Sequence, residues 1–296
     1  MILGLDVRDA LRDGRPVVAL ETTIVAHGFP PVDGLAVGRE CEARVRGGGA
    51  VPATVAVLDG ALRVGLAPDE LERVAAAGPD ARKVGPSDIG ACIVQGAIGA
   101  TTVGGTLVAC RQVGVRFLAT GGIGGVHRGY AERPDVSADL GALARTAALV
   151  VCSGVKSLLD VTATVELLET LGVPVLGWQT DELPLFYTAR GGPPVPVRVE
   201  TAAEAAAIAR EHWLVSDTAI VLARPPTDGL DDVKPLIEEA LAEAAAREVT
   251  GQAVTPFVLA FLHERSGGRT LEVNRRLAAD NAGLAAEVAV AFSSAG

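Results

Sequence analysis

The stretch "ALVVCSGVKSLLD", residues 148–160, decides the fold. Ala148 to Cys152 are apolar without a break, whereas a strand with one wet face would alternate. Such a strand is covered on both faces, which places it inside a mostly parallel sheet flanked by helices. Working outward, the same kind of run recurs in "GVRFLATGG" (114–122), "GVPVLGWQT" (172–180) and "DTAIVLARPP" (217–226). Upstream lie "RPVVALETTIV" (15–25) and "VPATVAVLDG" (51–60). Helical patterns separate them: "GLAVGRECEARVRGGGA" (34–50) stops at glycines, and "APDELERVAAAGPD" (67–80) has an acidic first turn and a Gly-Pro stop. The expected fold is α/β, a three-layer α/β/α arrangement with a largely parallel, mixed central sheet. From Asp231 onward the chain reads as Ala-rich helix, ending in the amphipathic "DNAGLAAEVAVAF" (280–292). "GGPPVP" (191–196) is the most loop-like stretch, but the same alternation resumes after it, so residues 1–296 are read as one domain.

Bulk properties narrow the function. The net charge of −10, with no cluster of basic residues, argues against binding long nucleic acid, which depends on many phosphate contacts. A small anion needs only a local positive pocket. Cys41, Cys92, Cys110 and Cys152 are widely spaced and form no metal-binding pair, which suits a reducing cytoplasm. Asp6, Arg8 and Asp9 stand where a signal peptide would need an apolar run. Residues 89–110 carry no charge and are long enough to span a bilayer, but Gln95 and the Gly/Thr-rich "ATTVGGT" read as two buried elements and a turn.

In parallel sheets ligands gather beyond the carboxyl ends of the strands, so the polar residues there are the candidates. They are Glu21, Thr120 with Gly121 and Gly122, Lys156, and Gln179-Thr180. Only Lys83, Lys156 and Lys234 of the 26 basic residues are lysines. Lys156 directly follows a buried strand, where an ammonium either pairs with an acid or loses its proton and becomes a nucleophile able to form a Schiff base. Glu21, partly buried at a strand end, suits a general acid; an exposed or arginine-paired carboxylate is the plainer reading. "ATGGIGGVHRG" (119–129), with His127 and Arg128, either cradles an anion or makes a tight turn; it is neither GxGxxG nor a Walker loop. Asp135 and Asp139, around Ser137, offer oxygen ligands to a hard divalent ion, or cap the helix that begins near "SADLGALA". Lys83 is either a surface lysine or a contact to substrate. His212, His263 and Lys234 carry no motif and read as structural or solvated.

Together the segments "VVALETTIVAHG", "GAVPATVAV", "ATTVGGT", "ATGGIGGVHRG", "DVSADL", "GVKSLLD", "GVPVLGWQT" and "TPFVLA" resemble the pseudouridine-5′-phosphate glycosidase (indigoidine synthase A-like) family, in order, from about residue 10 to 290. The resemblance implies reversible cleavage of the C–C glycosidic bond of pseudouridine 5′-phosphate to uracil and ribose 5-phosphate. It implies Lys156 as the imine-forming nucleophile, Glu21 as proton donor and Asp135 as ligand of one Mn²⁺ per subunit. Substrate contacts would fall at Lys83, Val103 and Ser137-Ala138-Asp139, and a homotrimer is expected; Thr120 at its strand end and His127 beside the Gly-rich loop are further candidate substrate contacts. Asn281 would read the uracil, with Asp280 standing where relatives have a second asparagine and modulating affinity or pH dependence. "GPSD" after Lys83 replaces basic residues of some relatives. Two other readings use the same pocket: a phosphatase-like or pigment-pathway enzyme on a related nucleotide, and a non-catalytic sugar-phosphate sensor. Lys156 separates them, because ester hydrolysis has no use for an imine-forming amine and a sensor needs neither Lys156 nor Glu21.

Overall fold

Long apolar runs without alternation demand burial on both faces, and the computed structural model shows where that burial is found. It describes residues 1–132, 134–230, 232–249 and 251–294. Among them the strands are β1 (Ile2–Leu3), β2 (Val17–Leu20), β3 (Val51–Leu58), β4 (Ala61–Val64), β5 (Arg82–Val84), β6 (Gly99–Thr101), β7 (Phe117–Ala119), β8 (Leu149–Cys152), β9 (Val175–Trp178), β10 (Val197–Val199) and β11 (Ile220–Ala223). They form one mixed sheet in the order β1-β4-β3-β2-β7-β8-β11-β9-β10, with β6 also pairing β3 and β5 pairing β6. From β3 through β10 every neighbour on that path is parallel; β4 and β6 run antiparallel to β3. All residues of β2, β7, β8 and β11 are buried, which accounts for their unbroken apolar sequences. Each fully buried Leu or Val there stabilises the fold by about 1.5–3 kcal/mol.

Helices pack around this mostly parallel sheet. The longest, Arg269–Ser294, lies over β2, β7 and β8 and against the helix Pro31–Gly47. Their approach is close enough that a Cβ on Gly48 would sit 2.6 Å from the Ala286 Cβ, so the small residues set the spacing. Residues 89–110 resolve into the helix Ile89–Val94, strand β6 and the helix Val103–Val113, and no helix among the described residues is long and apolar enough to cross a membrane. The helical C-terminal part comprises Lys234–Ala246, Val254–Arg265 and Arg269–Ser294; Asp231 itself lies outside the described residues.

The β-branched run "TTIV" departs from the expected strand: β2 ends at Leu20 and Thr23–His27 is helical. Thr22 causes the turn. Its hydroxyl donates to the Val55 carbonyl at 2.6 Å and accepts from the Thr101 amide at 2.9 Å, tying the end of β2 to β3 and β6. Tertiary hydrogen bonds here override local β preference.

Candidate active site

The register of the parallel core pairs Leu20 with Ala119 and Ala119 with Val151. The residues just beyond, Glu21, Thr120 and the Cys152-Ser153 corner, therefore meet at one edge of the sheet. Glu21 is only 5 % exposed. The Thr120 hydroxyl donates to Glu21 Oε1 at 2.6 Å, and the Thr23 hydroxyl donates to Oε2. The carboxyl group is thus held on both oxygens and reaches the cleft in one orientation. The alternative of an exposed or arginine-paired carboxylate is not found: Glu21 is buried, and no arginine is paired with it among the described residues.

Lys156 arrives from β8 through Ser153, Gly154 and Val155, all buried, and is itself half-buried. Gly154 has φ +85°, and a Cβ there would lie 1.9 Å from the Pro184 carbonyl oxygen, so this corner requires glycine. The "ATGGIGGVHRG" loop runs alongside. Ser153 N–H donates to the Gly121 carbonyl, Ile123 N–H to Gly154 and Lys156 N–H to Ile123. Two adjoining cavities of about 50 and 270 Å³ share Thr23, Lys83, Lys156 and Thr255 as walls, forming one cleft with Glu21 in the first part and Asp135 in the second.

The structure brings most of the candidate residues to this cleft. Lys83, on β5, is half-buried in it rather than on the surface. Burial, and next the Lys156 ammonium, pull the Lys83 pKa below the usual lysine value, opposed by the carboxylates of Asp139, Glu21 and Asp135. His127, Asp135, Ser137 and Ala138 line the second part. His127 Nδ1 lies 3.8 Å from Asp135 Oδ2; burial lowers the imidazole pKa, with Asp135 opposing and Lys83 adding to the shift. Ser137 caps the helix Ala138–Leu143 by accepting from the Asp139 amide.

Asp139 lines the cleft but is 5 % exposed, and its two oxygens accept the amides of Gly104 (2.7 Å) and Gly124 (2.9 Å). The Gly124 amide of the Gly-rich loop is therefore spent on a protein carboxylate. Val103 is fully buried in the core as the first residue of its helix and does not line either part of the cleft.

Asn281 also stands behind the cleft rather than in its wall. It is fully buried, and its amide donates to the Thr120 carbonyl at 2.8 Å and to the Ser153 hydroxyl at 3.1 Å. Through Thr120 it holds Glu21. Replacing Asn281 with alanine should lower stability in urea by about 1–3 kcal/mol, because buried partners lose their hydrogen bonds. A loss of substrate affinity with stability unchanged would instead put Asn281 in contact with ligand. Asp280 faces the other way, 3.1 Å from Arg224 and 3.6 Å from Arg44, so the expectation that it modulates the base subsite does not follow from its position.

Two cleft residues escaped the sequence reading. Asn274, seven residues before Asn281 on the same helix, is 2 % exposed and lines the first part with its Oδ1 lacking a partner. A seven-residue asparagine spacing on one helix face is the signal that was there to find. His27 lines the same part; Nε2 donates to the Ala81 carbonyl at 2.9 Å, leaving Nδ1 as a buried acceptor without a partner. Burial lowers its pKa. Nothing in "AHGFP" points to that role.

No group of three or more His, Cys, Asp and Glu side chains converges on a metal position among the described residues. The half-exposed Asp135 carboxylate, facing an open cleft, fits instead a hydrated hard ion held by one carboxylate, waters and a ligand's phosphate.

An α/β scaffold that presents a braced glutamate and a half-buried lysine across one cleft is that of an enzyme. Residues 6–291 match the family described as indigoidine synthase A like protein, and the chain belongs to it. It is 48 % identical to the pseudouridine-5′-phosphate glycosidase of Streptomyces griseus, over 99 % of this chain and 93 % of that one. It is 46 % identical to the same-named protein of Chloroflexus aurantiacus, over 98 % of each. Among solved structures it resembles the prealnumycin C-glycosynthase AlnA in complex with ribulose 5-phosphate, with TM-score 0.89, 36 % identity, and 100 % and 98 % of the two chains covered. An indigoidine synthase A-like protein of Thermotoga maritima gives TM-score 0.86 at 36 % identity, over 95 % and 94 %.

Proposed function

We propose that this chain is a pseudouridine-5′-phosphate glycosidase, which interconverts pseudouridine 5′-phosphate and water with uracil and ribose 5-phosphate. The observation that carries the reading is the shared cleft of Glu21 and Lys156. A C-glycoside has no leaving heteroatom to protonate, so the usual carboxylate pair is insufficient. The ribose ring opens as the C1′–O4′ bond breaks, O4′ taking a proton and N1 of the base losing one, so that C1′ becomes double-bonded to C5. The Lys156 amine adds to C1′ and gives up a proton as the π electrons return to the base and N1 is reprotonated. Glu21 delivers a proton to C5 of the base. The C1′–C5 bond then breaks as the nitrogen lone pair forms the C1′=N bond, and uracil leaves. Water hydrolyses the imine, releasing ribose 5-phosphate and the free amine.

Lys83 and His127, which line the cleft beside Ser137 and Ala138, would bind the sugar phosphate. Asp135 would hold one Mn²⁺, which when bound supplies positive charge for the phosphate. Assembly as a homotrimer in the cytoplasm completes the reading, and sedimentation of the purified chain tests the assembly.

The function is tested by incubating the protein with ribose 5-phosphate and Mn²⁺, adding borohydride, and mapping the product by peptide mass spectrometry. A reduced sugar-phosphate adduct on Lys156, with uracil released from pseudouridine 5′-phosphate in parallel, is the expected result. Absence of an adduct in protein that binds the sugar phosphate would overturn the covalent route.

A further inference from the structure

We infer that Arg128 is a positioning residue that fixes the peptide following the reactive lysine, an inference that rests on the amine chemistry proposed for Lys156. By sequence, Arg128 sits at the end of the Gly-rich loop as a candidate anion contact. In the structure it turns away from the cleft. It lines a separate outer groove with Ser157 and Asp160, and neither part of the cleft includes it. Its guanidinium donates through Nη2 to the Ser157 carbonyl at 3.0 Å and through Nε, at 3.5 Å, to the Leu159 carbonyl.

These acceptors flank the nucleophile. The Lys156 amide donates to Ile123 and the Asp160 amide to Val126, both in the Gly-rich loop, and the Leu159 amide closes a turn onto the Lys156 carbonyl. On the amino side, Lys156 is held by a main-chain bond from the loop. On the carboxyl side no loop amide reaches the Ser157 carbonyl among the described residues, and Arg128 supplies the donor. One loop therefore grips Lys156 from both sides.

Arginine suits the task. Its planar fork presents donors in fixed directions to two carbonyls two residues apart, whereas an ammonium is a single point. Releasing the Ser157 peptide frees the backbone torsion next to Lys156, and a misplacement on the order of 1 Å at a reacting group costs up to about a hundred-fold in rate.

The test is pre-steady-state. Wild-type, Arg128→Lys and Arg128→Ala proteins are mixed with ribose 5-phosphate, and the first-order rate of borohydride-trappable adduct on Lys156 is measured at saturating sugar, with its dissociation constant measured separately. Arg128→Ala should slow adduct formation about ten-fold or more with the dissociation constant nearly unchanged, and added guanidinium should restore part of the rate. Arg128→Lys should recover little. A weaker dissociation constant with an unchanged saturating rate would overturn the inference and make Arg128 an anion contact. Unchanged rate and affinity would also overturn it. Failure of the wild-type protein to form any adduct would be the separate failure of the proposed chemistry.

Discussion

Replacing Lys156 with methionine should reduce uracil release from pseudouridine 5′-phosphate by about a thousand-fold or more, with the fold intact by circular dichroism. The side chain lies in the cleft at the end of β8, and methionine conserves its length and apolar stem while removing the amine. Lys156→Arg should be equally inactive. It restores the charge, but a guanidinium stays protonated and cannot add to C1′. The pair of variants therefore separates the need for a nucleophile from the need for a cation beside Lys83. Activity above a tenth of wild type in Lys156→Arg alone would leave the lysine with an electrostatic role, and the same activity in Lys156→Met would leave it neither role.

Glu21→Gln should cost about 10²–10⁴-fold in cleavage, the range for loss of a positioned proton donor. The amide fills the same space and still accepts a hydrogen bond from Thr120 or Thr23, so the loss is chemical rather than steric. The informative control is the half-reaction. Imine formation between ribose 5-phosphate and Lys156 places no proton on a base carbon, so adduct trapping should persist in this variant. Loss of both reactions together would assign Glu21 to sugar binding. Under the proposed route the two threonine hydroxyls suit Glu21, because a hydroxyl can rotate from donor to acceptor when the carboxyl carries a proton.

The central fold was legible because burial on both faces writes itself into sequence. β2, β7, β8 and β11 are unbroken apolar runs, and their carboxyl ends pointed to Glu21, Thr120 and Lys156. Short peripheral strands were not legible. β1, β5, β6 and β10 have only two or three residues, and their pairing is decided by long-range contacts rather than by a local pattern. For the same reason "TTIV" misled: its conformation is set by Thr22 reaching Val55 and Thr101.

Lys156 stood out because lysine is rare in this chain and this one follows a buried strand. The partners of polar groups could not be read in the same way. Asp139 and Asn281 carry the residue types expected of ligand contacts, yet they spend their hydrogen bonds on Gly104, Gly124, Thr120 and Ser153. Arg128 likewise reads as an anion contact until its carbonyl partners are seen. The useful signal for Asn274 and His27, a buried atom without a partner, exists only in three dimensions.

The bond from Asn281 to Thr120 joins residues 161 positions apart, and Thr120 meets Glu21 across another 99. A nascent chain can pair β2, β7 and β8 well before the helix Arg269–Ser294 has left the ribosome, but the glutamate's support is incomplete until that helix docks. Contacts of such sequence separation close slowly, because chain entropy is lost before they form. Competence for catalysis should thus appear late in biosynthesis, after the sheet is built, so that partly made chains carry the nucleophile without an acid held ready beside it.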